Sequence, residues 1–151
     1  MSNVDYPEFI AIAPDVQAAL TALGKAVDAS GLEKGLTELV KLRVSLLNGC
    51  GFCVQYHLDL ARRLGVEGAK LDLVAAWRDA GVYSSREMAA LAWAESLTLS
   101  AAAPPPHDGF ARLLPQFTRA EAIFLTAAIG AINAWNRLGV GLGFSPASAK
   151  G

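Results

Sequence analysis

Charge is scarce in this sequence. Only 18% of its 151 residues are Asp, Glu, Lys or Arg, the net charge is −1, and no run of Lys or Arg stands out. Nucleic acid and anionic membranes are thereby set aside as partners, because both are held by clustered basic side chains. No segment alternates between apolar and polar residues with period two between hairpin turns, so no strand is expected. The start, MSNVDYPEF, has neither the basic residues nor the apolar run of a signal peptide, which sets the expectation of a cytoplasmic protein. Chemistry-bearing residues are few as well: two cysteines and two histidines. An iron–sulfur cluster needs about four cysteines, so one chain cannot hold it. A c-type haem needs CxxCH, and here Val54 follows Cys53.

Apolar residues are abundant, at 53% of the chain with a mean hydropathy of +0.34. A lone small domain usually carries more charge, so further copies are expected to cover part of this surface. The length predicts one domain, residues 1–151, with its own core.

The periodicity is helical. APDVQAALTALGKAVDAS carries apolar residues at helical spacing, with Asp15 as the expected N-cap and Gly31 beyond the end. LEKGLTELVKLRVSLLNG is apolar around much of its circumference and reads as a buried helix stopped by Asn48-Gly49. CGFCVQYHLDLARRLG and EGAKLDLVAAWRDAG predict a third and a fourth helix. Ser84 with Glu87, and Thr118 with Glu121, have capping-box spacing; they open a fifth helix through about Thr98 and a long last one. AAAPPPHDG between them is a loop, since three prolines cannot continue a helix. The last helix invites comparison with a membrane span, but Asn133, Asn136 and Arg137 interrupt the roughly 20 apolar residues a span needs. It is expected to be a core or intersubunit helix, and SPASAKG a frayed tail. The fold class is therefore all-α, with about six to seven helices.

Both cysteines, one histidine and a glutamate fall within ELVKLRVSLLNGCGFCVQYH. Cys50, Cys53 and His57 sit at i, i+3 and i+7, on one face of a helix, with Cys53 and His57 neighbours at i+4. The break at Asn48-Gly49 puts both thiols in the first helical turn, where unsatisfied N–H groups and the dipole favour a thiolate. Glu38 lies on the preceding helix. If the two helices pack as a hairpin, its carboxylate meets His57, fixes the tautomer and raises the ring's basicity.

Three readings compete for this cluster. Glu38, Cys50, Cys53 and His57 could in principle hold zinc, but structural zinc usually draws a second ligand pair from a distant knuckle, and none exists. Two buried thiols can simply pack as small hydrophobes. A reversible dithiol/disulfide pair fits the spacing, the helix start and the neighbouring histidine best. A structural disulfide closing so small a loop fits poorly in a reducing compartment.

ELVKLRVSLLNGCGFCVQYH, followed by AAWRDAGVYSSREMAALAWAESLT and INAWNRLGV, resembles the alkyl hydroperoxidase D-like (AhpD-like) branch of the carboxymuconolactone decarboxylase superfamily. The pattern is a Glu, eleven residues, then CxxCxxxH, and all four positions are filled. The resemblance implies an all-helical fold that assembles into trimers or hexamers, with no metal and no organic cofactor. It implies a peroxidase in which Cys53 attacks a hydroperoxide, Cys50 resolves the sulfenic acid to a disulfide, and Glu38 and His57 relay the proton. The reductant would be another dithiol carrier, lipoyl-bearing or thioredoxin-like. Some members carry a second His between the cysteines. Phe52 stands there in this chain, which predicts a slow peroxidase.

The alternatives are a lactone-acid decarboxylase of the same superfamily and a non-catalytic, redox-sensing helical oligomer. The decarboxylases generally lack the CxxC pair. They would need a basic residue for the substrate anion, for which Arg43 and Arg137 are candidates, though packing or surface roles suit both better. Trp77, Trp93 and Trp135 read as core or interface anchors. His107 reads as exposed, and Tyr56 as turned about 100° from His57. Glu121, Asn133, Asn136 and Val140 repeat the spacing of Glu38, Cys50, Cys53 and His57, which suggests a duplicated helical hairpin. The simpler reading of the two asparagines is a polar helix contact.

Overall fold

The computed structural model describes residues 3–147. The described residues are helical and contain no strand. Eight α-helices follow one another: α1 Tyr6–Ile12, α2 Pro14–Ala29, α3 Lys34–Leu47, α4 Gly51–Arg63, α5 Gly68–Asp72, α6 Trp77–Ala80, α7 Ser85–Thr98 and α8 Arg119–Leu142. Two 3-10 turns, Val74–Ala76 and Ala111–Leu113, complete the set.

The centre is α3. Leu36, Thr37, Glu38, Leu39, Val40, Leu42, Val44 and Ser45 are all buried, because α4, α7 and α8 pack around it. On one side Val40 and Val44 meet Ala90, Ala94, Leu125, Ile129 and Ile132. On the other Leu39 and Leu42 meet Ala61, Leu71, Val74, Trp77 and Leu91. Each fully buried Leu or Ile contributes roughly 1.5–3 kcal/mol. A helix apolar nearly all round is thus explained by having neighbours nearly all round.

Both capping boxes form as expected, Ser84 with Glu87 and Thr118 with Glu121, each bonded reciprocally. Two expectations change. Asp15 is not a cap: α2 starts at Pro14 after Ala13, with no side-chain cap bond. The capping aspartate is Asp5, whose Oδ1 accepts from the Glu8 N–H at 2.8 Å and opens α1, a helix the periodicity did not suggest. Pro14 disfavours helical geometry at Ala13, so α1 and α2 meet at 106° instead of continuing.

The fourth expected helix is the other change. It breaks into α5, a 3-10 turn and α6. Leu71, Val74 and Trp77 are all buried at a spacing of three. A 3-10 turn keeps residues three apart in register, whereas a regular α-helix would rotate Trp77 away from the other two. Packing of Trp77 wins over helix continuity, and its indole N–H donates to Glu95 at 2.7 Å.

The duplicated-hairpin idea does not survive. Glu38 and Cys50 lie on either side of the turn that separates α3 from α4, whereas Glu121 to Val140 is one uninterrupted helix. No single helix among the described residues is long and apolar enough to cross a membrane; α1 and α2 meet that test only together, across their bend. α2 buries only Val27, and Val16 and Leu23 stay exposed beside Ile12. Of the expected frayed tail, residues 148–151 lie outside the described residues.

Candidate active site

The site is built on the turn from α3 to α4. Gly49 adopts φ +68°, a conformation that a side chain would strain. The turn makes Cys50 the N-cap of α4, and its Sγ accepts from the Cys53 N–H at 3.3 Å. Sulfur thus takes the place that Ser, Thr, Asp or Asn normally fills at a helix start. The two sulfurs are joined as a disulfide. Both residues are buried, at 2% exposed for Cys50 and 5% for Cys53.

The α3–α4 hairpin brings Glu38 to His57. The imidazole Nδ1 donates to Glu38 Oε2 at 2.6 Å, and Glu38 is 0% exposed. With Nδ1 holding its hydrogen against the carboxylate, Nε2 is the nitrogen left to exchange a proton. Burial by itself would raise the Glu38 pKa. The hydrogen bond from His57 and the Lys41 charge outweigh it and hold the carboxyl down at about 2. Glu38 is therefore an anion at neutral pH, behind the ring.

Two lysines complete this arrangement and were not singled out from the sequence. Lys41 Nζ donates to Glu38 Oε1 at 3.0 Å, and Lys34 Nζ lies 3.3 Å from the same oxygen. Their signal was available: they sit at i+3 and i−4 from Glu38, on its own helix face.

A cavity of about 330 Å³ opens onto this group. Cys53, His57 and Glu38 line it, whereas Cys50 does not. The opposite wall is aromatic. Tyr6, Phe52 and Phe144 have ring centroids 5.1–5.4 Å apart, and Trp135 lies 6.4 Å from Tyr6. Phe52, at the place of the second histidine, is part of this wall. Tyr56 also lines the cavity, edge-on to His57 at 5.1 Å and largely exposed.

Behind the disulfide runs α8, and Gly139 is the point of contact. A Cβ there would lie 2.7 Å from Cys50 Sγ and 3.3 Å from Cys53 Sγ. Sequence reasoning passed over it; an isolated glycine inside the apolar pattern of a long helix was the available hint. The turn itself is pinned to α8 by amides. Asn48 donates to the side-chain oxygens of Asn133 and Asn136, each at 3.0 Å, and Asn136 donates to Ser45 Oγ at 3.0 Å. The asparagines of α8 are thus a polar helix contact.

The remaining candidates lie elsewhere. Arg43 is bound to Glu95 at 2.9 Å, Arg137 is exposed on α8, and neither lines the cavity. His107 is exposed. Trp77 and Trp93 are anchored to Glu95 and Thr126, while Trp135 turns to the cavity. Of the four potential metal donors, the two sulfurs and the Glu38 carboxylate are already engaged, and His57 keeps only Nε2 open. The sulfurs are bonded together, Glu38 Oε2 holds His57, and its Oε1 holds Lys41.

This chain has relatives. The model of the carboxymuconolactone decarboxylase family matches residues 14–96. An uncharacterised protein of Bacillus subtilis (strain 168), YdfG, is 31% identical over 137 residues, covering 91% of this chain and 93% of its own. The crystal structure of ATU0492 of Agrobacterium tumefaciens, a protein of unknown function named as a candidate AhpD antioxidant defence protein, shares 36% identity. It superposes with a TM-score of 0.89 over 97% of this chain and 98% of its own. The debrominase Bmp8 shares the fold at 23% identity, with a TM-score of 0.80 over 93% of this chain and 75% of its own. The chain belongs to the carboxymuconolactone decarboxylase family, and within it is an AhpD-like protein.

Proposed function

We propose that the protein is a thiol-dependent hydroperoxide reductase with Cys53 as the attacking thiol. The observation that carries this reading is the order of groups around one cavity. Cys53 and His57 face it, Glu38 stands behind His57, and Cys50 lies behind Cys53 within bonding distance.

The steps follow from that order. In the reduced protein His57 Nε2 takes the Cys53 thiol proton, and the thiolate is favoured by the N-terminus of α4. The thiolate attacks the distal peroxide oxygen; an S–O bond forms, the O–O bond breaks, and His57 returns its proton to the departing alkoxide. The products are an alcohol and a Cys53 sulfenic acid. The Cys50 thiolate then attacks the sulfenic sulfur, a proton joins the departing hydroxide, and water and the disulfide result. A dithiol carrier, lipoyl-bearing or thioredoxin-like, returns the disulfide to two thiols by exchange. Such a cycle suits the reducing cytoplasm, and we place the protein there as a homo-oligomer, trimer or hexamer, whose contacts cover exposed apolar side chains such as Val16 and Leu23 of α2. Phe52 offers no second proton relay, so turnover is expected to be slow.

The test is an anaerobic thiol count before and after an organic hydroperoxide. Wild type is expected to lose two thiols per chain. Cys50→Ser is expected to stop at a trappable sulfenic acid, and Cys53→Ser to lose none. Hydroperoxide consumption that persists in Cys53→Ser overturns the reading; decarboxylation of a lactone acid that survives both Cys→Ser changes would favour the lyase instead.

A further inference from the structure

The cavity has two unlike sides. One is the aromatic wall of Tyr6, Phe52, Trp135 and Phe144. The other carries Lys25, Lys34 and Lys41 together with two carboxylates, Asp28 and Glu38. Those carboxylates are already occupied. Both oxygens of Asp28 accept from Lys34 at 2.9 Å. Glu38 Oε1 accepts from Lys41 at 3.0 Å, and Oε2 accepts from His57 at 2.6 Å.

The ammonium groups are not occupied to the same degree. Lys41 has three N–H donors, and Glu38 takes one of them. Its side chain is only 11% exposed, so the other two meet little open water. Lys25 lines the cavity from an exposed position, with no protein partner among the described residues, so water holds its ammonium when no ligand is there. Unspent donors on a largely buried cation are costly unless something accepts from them. An apolar wall and a cluster of ammonium groups lining one cavity suit a ligand that is apolar at one end and anionic at the other.

We propose that the substrate is a hydroperoxide that also carries a carboxylate, its hydrocarbon body against the aromatic wall and its carboxylate on Lys41 and Lys25. The proposal rests on the peroxidase reading above and adds the substrate class to it. A volume of about 330 Å³ suits a small molecule of this kind rather than a phospholipid. The carboxylate takes no part in the bond changes. Cys53 sulfur is oxidised by two electrons as the S–O bond forms, the peroxide is reduced to a hydroxy acid, and its new hydroxyl takes the proton held by His57. Cys50 then closes the disulfide with loss of water, and the dithiol carrier already named restores both thiols.

The experiment compares 8-hydroperoxyoctanoate with its methyl ester as oxidants of the pre-reduced full chain, below saturation, with thiol loss as the readout. The acid is expected to react about tenfold faster at low salt, as one charge-assisted contact allows, and added salt is expected to narrow the ratio. Lys25→Met and Lys41→Met are each expected to bring the acid-to-ester ratio toward one. Because Lys41 also touches Glu38, the ratio within each variant is read, not the absolute rate. Equal rates for acid and ester in wild type overturn the proposal and leave the peroxidase reading standing. A preference that survives both lysine changes also overturns it. Oxidation by neither compound overturns the peroxidase reading itself.

Discussion

Gly139→Ala isolates the packing of α8 against the disulfide. The new methyl carbon would sit 2.7 Å from Cys50 Sγ, 3.3 Å from Cys53 Sγ and 3.6 Å from Phe144 Cδ2. No carbon–sulfur pair tolerates the first distance, so α8 or the sulfurs must shift. In a helix interior, alanine is better than glycine by about 1 kcal/mol, while overpacking a core costs about 1–3 kcal/mol. In the oxidised protein both sulfurs are tied and the cost applies in full, leaving a net loss of up to about 2 kcal/mol. In the reduced protein Cys50 can turn away alone, and the helix gain of up to about 1 kcal/mol survives. The clash therefore separates the two redox states by about 1–3 kcal/mol, which raises the reduction potential of the pair by roughly 20–60 mV. Two measurements read it: urea unfolding of the oxidised and reduced forms, and redox titration against a glutathione or dithiothreitol buffer. A variant equally stable or more stable in the oxidised form, with an unchanged potential, would refute the idea that Gly139 exists to admit the disulfide.

The other predictions concern the groups around it. Cys53 is expected to react with thiol reagents several-fold faster than Cys50 at neutral pH, because it faces the cavity beside His57 while Cys50 lies behind it; equal alkylation rates in Cys50→Ser and Cys53→Ser would contradict the assignment. The Glu38 pKa is depressed from 4.5 to about 2, so its stabilisation is fully present above pH 4.5 and is lost as pH falls through 2. That contribution is about 3 kcal/mol, and Glu38→Gln is expected to flatten acid unfolding in this window and to slow peroxide turnover, whereas an unaltered acid limb would sink it. Glu95 accepts from Arg43, Trp77 and Arg78, so Glu95→Ala is expected to cost about 3 kcal/mol by leaving a largely buried Arg43 unpaired, with the thiol oxidation rate unchanged. A slowed oxidation in that variant would move Arg43 back among the functional candidates.

Much of the site could be read from the sequence because it is local. CxxCxxxH at a helix start sets one face, and Asn48-Gly49 sets the turn that folds Glu38 onto His57. The capping boxes were equally legible, since each is closed within four residues. What could not be read depends on tertiary contact. The split of the fourth helix follows from docking Trp77 beside Glu95, and nothing in its own periodicity announces that. α1 buries only Phe9, too little for a pattern to show. The aromatic wall joins residues from α1, α4, α8 and the segment after α8, and no single window contains them. Lys41 and Gly139 were visible as letters, but their meaning depends on what lies opposite.

Tyr6 and Phe144 stand far apart in sequence, yet their rings meet at 5.4 Å, and the Val4 N–H beside them donates to Leu142 O at 3.1 Å. The α3–α4 hairpin, by contrast, joins residues that are neighbours in sequence, although α7 and α8 complete its burial. During synthesis the two thiols thus emerge long before the wall that screens them. Until residue 144 has emerged and folded back, the nascent chain presents an unguarded dithiol to every disulfide around it, large or small. The reducing state of the surroundings during translation therefore matters to this protein as much as the oxidant it meets afterwards.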